Sequence, residues 1–517
     1  MPTFYTSKKL SFNNAEQFKE SFFEPEPATV GYVFIGNHVP YANEASPNSI
    51  VDSVSDEKSV WDNMFAAKKI TGNDVELVIP RVNWTANTKY KQFDDRITVG
   101  DLLTANTLLN VKPMYVLTSD RNVYKCLSNN VSANSTVEPV GDFTTANGTI
   151  STADGFIWKY MYNVKPSNRF LTTDWIPAPI STNKLDYNVS ETSVVDGEIT
   201  TIVVTNGGTG YAHPTINATA FGTGVTTITM ANTTNVAANM VVSGTGITTG
   251  TLVTAVNSVT SIITIDTATS ANGGGTTANA LTFLTRVYIE GDGSSLEASA
   301  NIANSAISKV TIDVTGTGYS YANAILYGSG TGANARVILT PKFGHGFNPA
   351  KELDASNVMI ADRIGSVDST ENGLISVDTS FRQYGLLRDP YKYGNTSPVI
   401  SSNANTVISQ TTNITLIAGT SFNLNEFVYQ GSSANNAFFY GFVNAQSANE
   451  VRLTKVKGEV SVGGLLIGAN SGVNRTVVKL DNPEFEPYTG DIMYVENVEG
   501  VTRADGQAEN IKFVIRF

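Results

Sequence analysis

Hydrophobic positions recur at helical spacing in two places near the start of the chain. A short helix is expected over 14–22, where the apolar positions are Ala15, Phe18 and Phe22. A second helix is expected from Ser55, a capping residue, to Gly72, which can end it. Its apolar positions are Val60, Trp61, Met64, Phe65 and Ala67. The pattern predicts two helices before the first strands.

Short runs of β-branched and aromatic residues follow and predict strands. They occupy 75–79, 114–117 and 156–162. With the two helices, these strands indicate an α+β core domain over 1–189. From 190 to 345, Thr, Gly, Ala and Asn dominate, and runs such as 199–204 and 261–265 alternate with glycine-rich turns. That texture predicts sandwich-like modules of short strands.

An internal repeat lies within this Thr/Gly-rich region, at 199–224 and 307–332. Each copy reads as a strand, a Thr-Gly-Tyr turn, a second strand and a Gly-Thr-Gly turn. The glycines can supply positive φ, and Tyr211 and Tyr319 are expected to plug the small core of each module. Residues 225–285 are interpreted as an inserted β-hairpin unit between the copies.

The rest of the chain alternates between core-like and module-like texture. The segment 346–411 regains charge and helix formers and is expected to return to the core, as are the strands of 481–517. Between them, 412–480 predicts a small β-module. The predicted fold class is mainly β with an α+β core, multidomain, with β-sandwich-like insertions.

Composition narrows the function classes. At 517 residues the chain exceeds a single hydrophobic core, and a net charge of −12 argues against nucleic-acid binding. Apolar runs fall short of the ~18 residues that span a membrane, and the first residues resemble no signal peptide, so we expect synthesis in a cytoplasm. The single cysteine, Cys126, is expected to be a buried small hydrophobe.

Candidate catalytic chemistry is sparse. The three histidines, His38, His213 and His345, lack a second histidine or cysteine at metal-ligand spacing. His345 stands between glycines, which favours a structural turn. Asp292 could ligate calcium, but its loop lacks the alternating acidic ligands, and a turn is favoured. Gly273 and Gly275, followed by Ala278, fit a relaxed dinucleotide pattern that a flexible loop explains better.

Nucleophile-elbow and phosphate-loop motifs are also missing from the sequence. A dispersed Ser-His-Asp set and paired carboxylates meet only in the fold and leave no spacing signature. We therefore expect a protein that is not an enzyme, with no catalytic, cofactor-binding or metal-binding residues.

The C-terminal stretch carries a family resemblance. Residues 490–497 read GDIMYVEN and residues 503–517 read RADGQAENIKFVIRF. They resemble the end of the T4-like phage baseplate wedge protein, the wedge subunit between the inner and outer baseplate. Val498 and Glu499 stand where that family has basic residues, and Gly506 departs from its "DQTE" loop.

Further segments are similar to the same family. They are VGYVFIG at 30–36, WDNM at 61–64, VIPRVNW at 78–84, GFIWKYM at 155–161 and SFRQYGLLRDP at 380–390. The resemblance covers about 25–185, 375–410 and the final ~35 residues, and it fails over 190–345 and 412–480.

The resemblance implies a structural virion protein. Such a subunit would form a homodimer, bind other baseplate wedge proteins, act without cofactor, nucleic acid or membrane, and sit in the tail baseplate after assembly in the host cytoplasm. Two other functions stay open. A receptor- or glycan-binding adhesin would use Tyr211 and Tyr319 as aromatic platforms, and a polysaccharide depolymerase would need a catalytic carboxylate.

Overall fold

The computed structural model describes residues 8–23, 30–96, 111–142, 144, 148–180, 194–276, 279–364, 379–395, 407–502 and 509–517. Strands account for 47% of the chain and helices for 8%, in several sheets and more than one domain. The predicted mainly-β, multidomain fold class is confirmed.

The described helices are short. They are α1 (Lys8–Glu20), α2 (Val54–Asn63) and α3 (Pro349–Glu352), with 3-10 turns at Gly72–Asp74 and Ala434–Asn436. The strands of the first third are β1 (Gly31–Gly36), β2 (Met64–Lys69), β3 (Val75–Pro80), β4 (Lys89–Tyr90), β5 (Val111–Lys112), β6 (Tyr115–Leu117), β7 (Asn122–Ser128), β8 (Thr149–Ser151), β9 (Ile157–Asn163) and β10 (Trp175–Pro177).

The Thr/Gly-rich region contributes twelve described strands. They are β11 (Thr201–Thr209), β12 (Thr215–Ile216), β13 (Thr227–Thr229), β14 (Val241–Ser243), β15 (Val253–Asn257), β16 (Ile262–Ile265), β17 (Leu281–Leu284), β18 (Arg286–Gly291), β19 (Ser294–Ala303), β20 (Ala306–Thr317), β21 (Ala322–Tyr327) and β22 (Thr331–Ile338). The last third contains β23 (Asn357–Ile364), β24 (Phe381–Arg388), β25 (Val407–Ser409), β26 (Thr412–Leu416), β27 (Phe427–Gly431), β28 (Ala437–Gln446), β29 (Glu450–Gly458), β30 (Leu465–Gly468), β31 (Asn474–Asp481), β32 (Asp491–Val501) and β33 (Glu509–Arg516).

The chain divides into two compact units. The first combines Met1–Val78 with Ala355–Phe517, and the second is Ile79–Asp354. The division therefore falls inside the predicted 1–189 segment, after the first four residues of β3, and again just after α3.

The first unit is built on a five-stranded antiparallel sheet in the order β25-β2-β1-β24-β32. Its middle strand β1 is buried on both faces, which explains its run of apolar residues. Gly385 of β24 pairs with Phe34, and a Cβ at Gly385 would meet the Phe34 ring at 2.5 Å. The glycine is thus required for the aromatic side chain to lie across the sheet. A second sheet pairs β33 with β23 and β23 with β3.

The helix expected from Ser55 to Gly72 is wrong in its second half. The helix is capped by Ser53, whose side chain accepts from the Asp56 amide, and it ends at Asn63. Met64 already has extended backbone, and β2 pairs with β1 on one side and β25 on the other. Two strand partners outweigh the helical spacing of Met64 and Ala67, because buried backbone groups must all be paired.

Residues 412–481 form a closed barrel in the order β26-β29-β28-β27-β30-β31. The first and last strands close it, with Asn413 opposite Asp481 and Ile414 opposite Leu480. An apolar core fills it, including Phe422, Phe439 and Leu466. The barrel has its own core and no free edge between its six strands.

The second unit contains a barrel-like sheet that includes the first strand of the first repeat copy, β11, and both strands of the second copy, β20 and β21, whereas β12 of the first copy belongs to another sheet. The order of the barrel-like sheet is β11-β22-β21-β18-β19-β20, and the inward residues form one apolar core. In the first Thr-Gly-Tyr turn, φ is 64° at Gly208 and 78° at Gly210, and the second copy has 64° at Gly316 and 76° at Gly318. Tyr211 and Tyr319 are both buried in the shared core. The repeat in sequence therefore has matching turn geometry.

Two smaller assemblies complete the second unit. Residues 215–284 form two three-stranded sheets, β12-β17-β14 and β13-β16-β15, around an apolar core of their own. Strands β6-β7-β9-β8 form a four-stranded sheet with an aromatic core that includes Tyr90, Tyr124, Phe156 and Trp158. This aromatic sheet supports the buried charges described below.

Candidate interaction surface

The strand β32 ends the five-stranded sheet and presents an unpaired edge. It is eleven residues long and pairs with β24 alone among the described strands. An edge strand of that length carries a row of unpaired N–H and C=O groups, which can pair with a strand of another chain. We define β32 together with the exposed side chains on it as the C-terminal edge.

The side chains of the C-terminal edge divide between core and solvent. Ile492 and Val495 pack against the core of the first unit. Met493 is 54% exposed and Tyr494 is 45% exposed. The pairing register shifts between Leu386 and Leu387, so Met493 lies at a bulge. Solvent-exposed apolar area on a free edge is the kind of surface that another protein covers.

A hydrogen-bonded cluster stiffens this edge. The hydroxyls of Tyr384 and Tyr494 donate to the same oxygen of Glu496, at 2.6 and 2.7 Å. Both rings lie 5.6 Å from the ring of Phe513 on β33. The hydrogen bond to Glu496 and burial raise the pKa of Tyr494 to about 12. Both tyrosines therefore stay neutral donors and hold the strand in place.

Ion pairs at this edge are exposed. Arg388 of β24 donates to Asp491 of β32 at 2.5 Å, with both side chains largely in solvent. Glu499 is also exposed on the strand. Acidic groups on an edge discourage pairing between identical strands and favour a partner that brings positive charge.

The strongest convergence of ionisable groups lies elsewhere, inside the second unit. We call it the buried ionic cluster, and its members are Lys125, Lys159, Glu198, His345 and Glu352. The Lys125 Nζ is 2.8 Å from Glu352 Oε2 and 3.0 Å from His345 Nδ1. Glu352 also accepts from the backbone amides of Gly346 and Asn348. The Lys125 Nζ lies 3.8 Å from the centre of the Phe93 ring.

The protonation states in this cluster follow from burial and charge. Burial, with the Lys125 charge, lowers the pKa of His345 to about 4, so the ring is neutral at pH 7. Burial alone would raise the pKa of Glu352, but Lys125 and His345 outweigh it and lower that pKa to about 2. Burial lowers the pKa of Lys125, and the Glu352 carboxylate opposes that shift.

Burial prevents the cluster from acting on a substrate. Lys125 is 0% exposed, Lys159 and His345 are each 1% exposed, and Glu352 is 8% exposed. Catalysis requires a reacting group within hydrogen-bond reach of the substrate. The cluster instead connects β7, β9 and the loop before α3, and its chemistry is structural. The sequence predicted the turn at His345, where Gly344 and Gly346 have positive φ, but it did not indicate Lys125 or Glu352 as partners.

The other histidines have separate surroundings. His38 is buried in the first unit, where its nitrogens lie 2.6 Å from Asn425 Oδ1 and from Thr454 Oγ1. Burial lowers the pKa of His38 to about 4. Burial also lowers the pKa of His213 in the second unit. The structure brings none of the three histidines together in the residues it describes.

The remaining residues singled out from the sequence occupy structural positions. Cys126 is buried, as predicted, and burial raises the pKa of its thiol. Asp292 accepts from the Ser320 side chain and from the amides of Ser320 and Tyr321, which lowers its pKa to about 2. Those contacts fasten a turn.

The glycine-rich loop at 273–275 is not followed by a helix in the part that is described. Gly273 exchanges backbone hydrogen bonds with Phe221, and Ala278 lies outside the described residues. An open pocket of about 480 Å³ adjoins this loop. It is lined by Ala220, Phe221, Gly222, Asn272, Gly273, Gly274 and Asn279. Ionisable side chains are not among the lining residues, so the pocket offers no acid-base chemistry.

Tyr211 and Tyr319 are plugs in the core, 3% and 9% exposed. Neither ring is therefore available as the aromatic platform that an adhesin would need. Other aromatic residues of the same sheet are exposed, but the sequence pattern did not single them out.

Comparison with known proteins gives no family assignment, since no family model matches the chain and no curated protein matches it. Within the described residues, three or more His, Cys, Asp or Glu side chains do not gather in a way that could hold a metal ion. The described helices include none that is long and apolar enough to cross a membrane.

Proposed function

We propose that this chain is a structural virion protein, a baseplate wedge subunit of a contractile-tailed phage. It assembles in the host cytoplasm as a homodimer and joins other wedge proteins through protein–protein contacts. The observation that supports the proposal most is where the family-like segments lie in the fold. Far apart in the sequence, several of them are neighbouring strands of one sheet.

The pairing register makes this concrete. The segment 30–36 is β1, and it pairs along its whole length with β24, which lies in the family-like segment 380–390. Strand β24 pairs in turn with β32, which begins within the segment 490–497. Residues 503–508 lie outside the described part, and β33 follows them. The family-like segment at 155–161 and all but the first residue of the segment at 78–84 belong to the second unit.

One of the two segments without the resemblance is a closed structure by comparison. The barrel of 412–481 has its own core and completes its own hydrogen bonding. A shared framework with self-contained additions is the expected result when modules are inserted into an assembly subunit at surface loops.

The exposed C-terminal edge and the buried ionic cluster fit a mechanical role. The charged groups of the buried ionic cluster pair with one another inside the fold. The free edge of β32 and the exposed Met493 can contact another protein. An assembly can switch between two states when its protein–protein interfaces stabilise one state and then rearrange to stabilise the other.

The test is the mass and symmetry of the purified chain, alone and mixed with the neighbouring tail proteins of its virion. Light scattering coupled to size exclusion should give twice the 55.2 kDa chain mass, and the mixture should give a larger complex. A monomer that joins none of the neighbouring proteins would overturn the proposal.

A matched pair of variants locates the contact. Met493→Asp on the C-terminal edge should weaken the larger complex by about tenfold or more, because it places charge in an apolar contact. Leu465→Asp changes a comparably exposed residue of the barrel and should leave the complex intact. Equal effects of the two variants would show that the C-terminal edge is not the contact.

A further inference from the structure

Three side chains form a partly exposed cluster on the outer face of the barrel-like sheet in the second unit. Arg286 and Tyr288 are two residues apart on β18, and Tyr327 lies directly opposite Arg286 on β21. Their neighbours Val287 and Leu326 point into the core, so the alternation of the strands places the three on the outer face. We call these three residues the tyrosine–arginine patch.

The guanidinium lies beside both tyrosine rings. The Arg286 Cζ lies 4.7 Å from the Tyr288 ring centre and 6.0 Å from the Tyr327 ring centre. The ring centres are 6.4 Å apart at an angle of 44°. Tyr288 is 39% exposed. Cation–π contact with two rings limits the rotamers of the arginine without using its N–H donors.

Arg286 has carboxylates on its own face of the sheet but is not in direct contact with one: the exposed Glu297 follows Ser299 in register, opposite Tyr288, and the exposed Glu290 lies opposite Asn323. Among the described residues Arg286 makes no hydrogen bond or ion pair; its cross-strand neighbours are Tyr327 and Ser299. The other two basic residues of 191–340 are engaged: Arg336 with Asp94 and Asp95, and Lys309 with Asn130. An unpaired cation in a strongly acidic chain is a specific feature of this face.

The geometry identifies the ligand chemistry that fits. A pre-oriented guanidinium with free donors binds a carboxylate in a bidentate manner. Partly exposed tyrosine rings beside it present apolar faces of the size of a sugar ring, with a hydroxyl at the edge. The exposed Asn323 can hydrogen-bond sugar hydroxyls, and the exposed Ser299, whose hydroxyl donates to Asp313, can still accept from one.

We propose that the tyrosine–arginine patch binds a carboxylate-bearing saccharide, such as a hexuronic acid unit of a surface polysaccharide. Arg286 takes the carboxylate, and Tyr288 and Tyr327 contact the ring. This binding is a second function of the chain. It does not depend on the C-terminal edge or on assembly into a baseplate. It also does not involve Tyr211 or Tyr319, the two tyrosines that the sequence suggested as aromatic platforms.

The test uses the full-length chain and trigalacturonate, with the neutral trisaccharide maltotriose as the uncharged probe. Saturation-transfer NMR and titration calorimetry should detect trigalacturonate, with affinity that falls as salt rises. Maltotriose should bind at least about tenfold more weakly, because the charge-assisted pair is missing. Equal binding of the two sugars, or no binding of trigalacturonate at millimolar concentration, overturns the proposal.

Variants separate a specific site from charge alone. Arg286→Ala should abolish trigalacturonate binding, Arg286→Lys should retain a minor part of it, and Tyr288→Ala should reduce it about tenfold. Lys479→Ala removes an exposed cation from the barrel and should change nothing. If Lys479→Ala weakens binding as much as Arg286→Ala, the attraction is non-specific and the patch is not a site. Unchanged thermal unfolding of each variant excludes loss of fold.

Discussion

Two ion pairs in this protein have similar geometry and opposite surroundings. Lys125 and Glu352 lie 2.8 Å apart in the interior of the second unit, with side chains 0% and 4% exposed. Arg388 and Asp491 lie 2.5 Å apart on the C-terminal edge, 44% and 61% exposed. The short distances alone would rank them equal. Their energies differ because of solvent. Removing the partner of a buried charge costs far more folding free energy than removing the partner of an exposed charge.

The largest expected effect comes from removing one member of the buried pair. Glu352→Gln leaves the Lys125 charge in the interior without a carboxylate, which should lower the free energy of unfolding of the second unit by about 3–5 kcal/mol. Chemical denaturation monitored by tryptophan fluorescence measures it. A loss below about 1 kcal/mol would mean that no charge is stranded, because solvent reaches Lys125 or because the lysine releases its proton once the carboxylate is gone.

Replacing both members should cost less than replacing one. In Lys125→Met with Glu352→Gln, neither charge of the pair is left, and the glutamine oxygen can still accept from the amides of Gly346 and Asn348. We expect the double variant to recover most of the stability lost in Glu352→Gln. If the double variant is the less stable of the two, the pair itself and not the stranded charge accounts for the energy.

The pH dependence of stability should come next. The folded pKa of His345 is about 4 against an ordinary 6.5, so between these values the unfolded chain binds a proton that the folded chain does not. Stability should therefore fall as the pH drops from 6.5 towards 4, and the Glu352 contribution should be lost below pH 4.5. His345→Gln, which does not titrate, should flatten the first part of this slope in thermal unfolding measured at stepwise pH.

The smallest effect is expected at the exposed pair. Asp491→Asn should change the free energy of unfolding by about 0–1 kcal/mol, and less at high salt. A loss of unfolding free energy as large as that of Glu352→Gln would show that another protein surface already covers the C-terminal edge in solution.

The fold class and most strands were predictable because they depend on local patterns. The strand predicted at 75–79 is β3, the one at 156–162 overlaps β9, and the repeat turns at Gly208 and Gly316 follow from the need for positive φ. The prediction failed at Met64, where spacing fitted a helix and two neighbouring strands imposed extended backbone. Local pattern carries no information about such partners.

The buried ionic cluster and the tyrosine–arginine patch were not predictable for a related reason. Lys125 is 220 residues from His345 and 227 from Glu352 in the sequence. Tyr327 reaches Arg286 only through the register of β18 and β21. Each residue has an ordinary local context, and the chemistry arises when distant segments pair.

The closure of the barrel at 412–481 has a consequence for the history of the chain. Because Asn413 lies opposite Asp481, the points where the polypeptide enters and leaves the barrel are about 5 Å apart, the spacing of paired strands. A short linker can bridge that gap, so a gain or loss of the whole barrel keeps the strand order of the sheet that flanks it, at the cost of the His38 contacts with Asn425 and Thr454. A module whose ends meet in this way can be inserted or removed as one unit while the framework keeps its strand order.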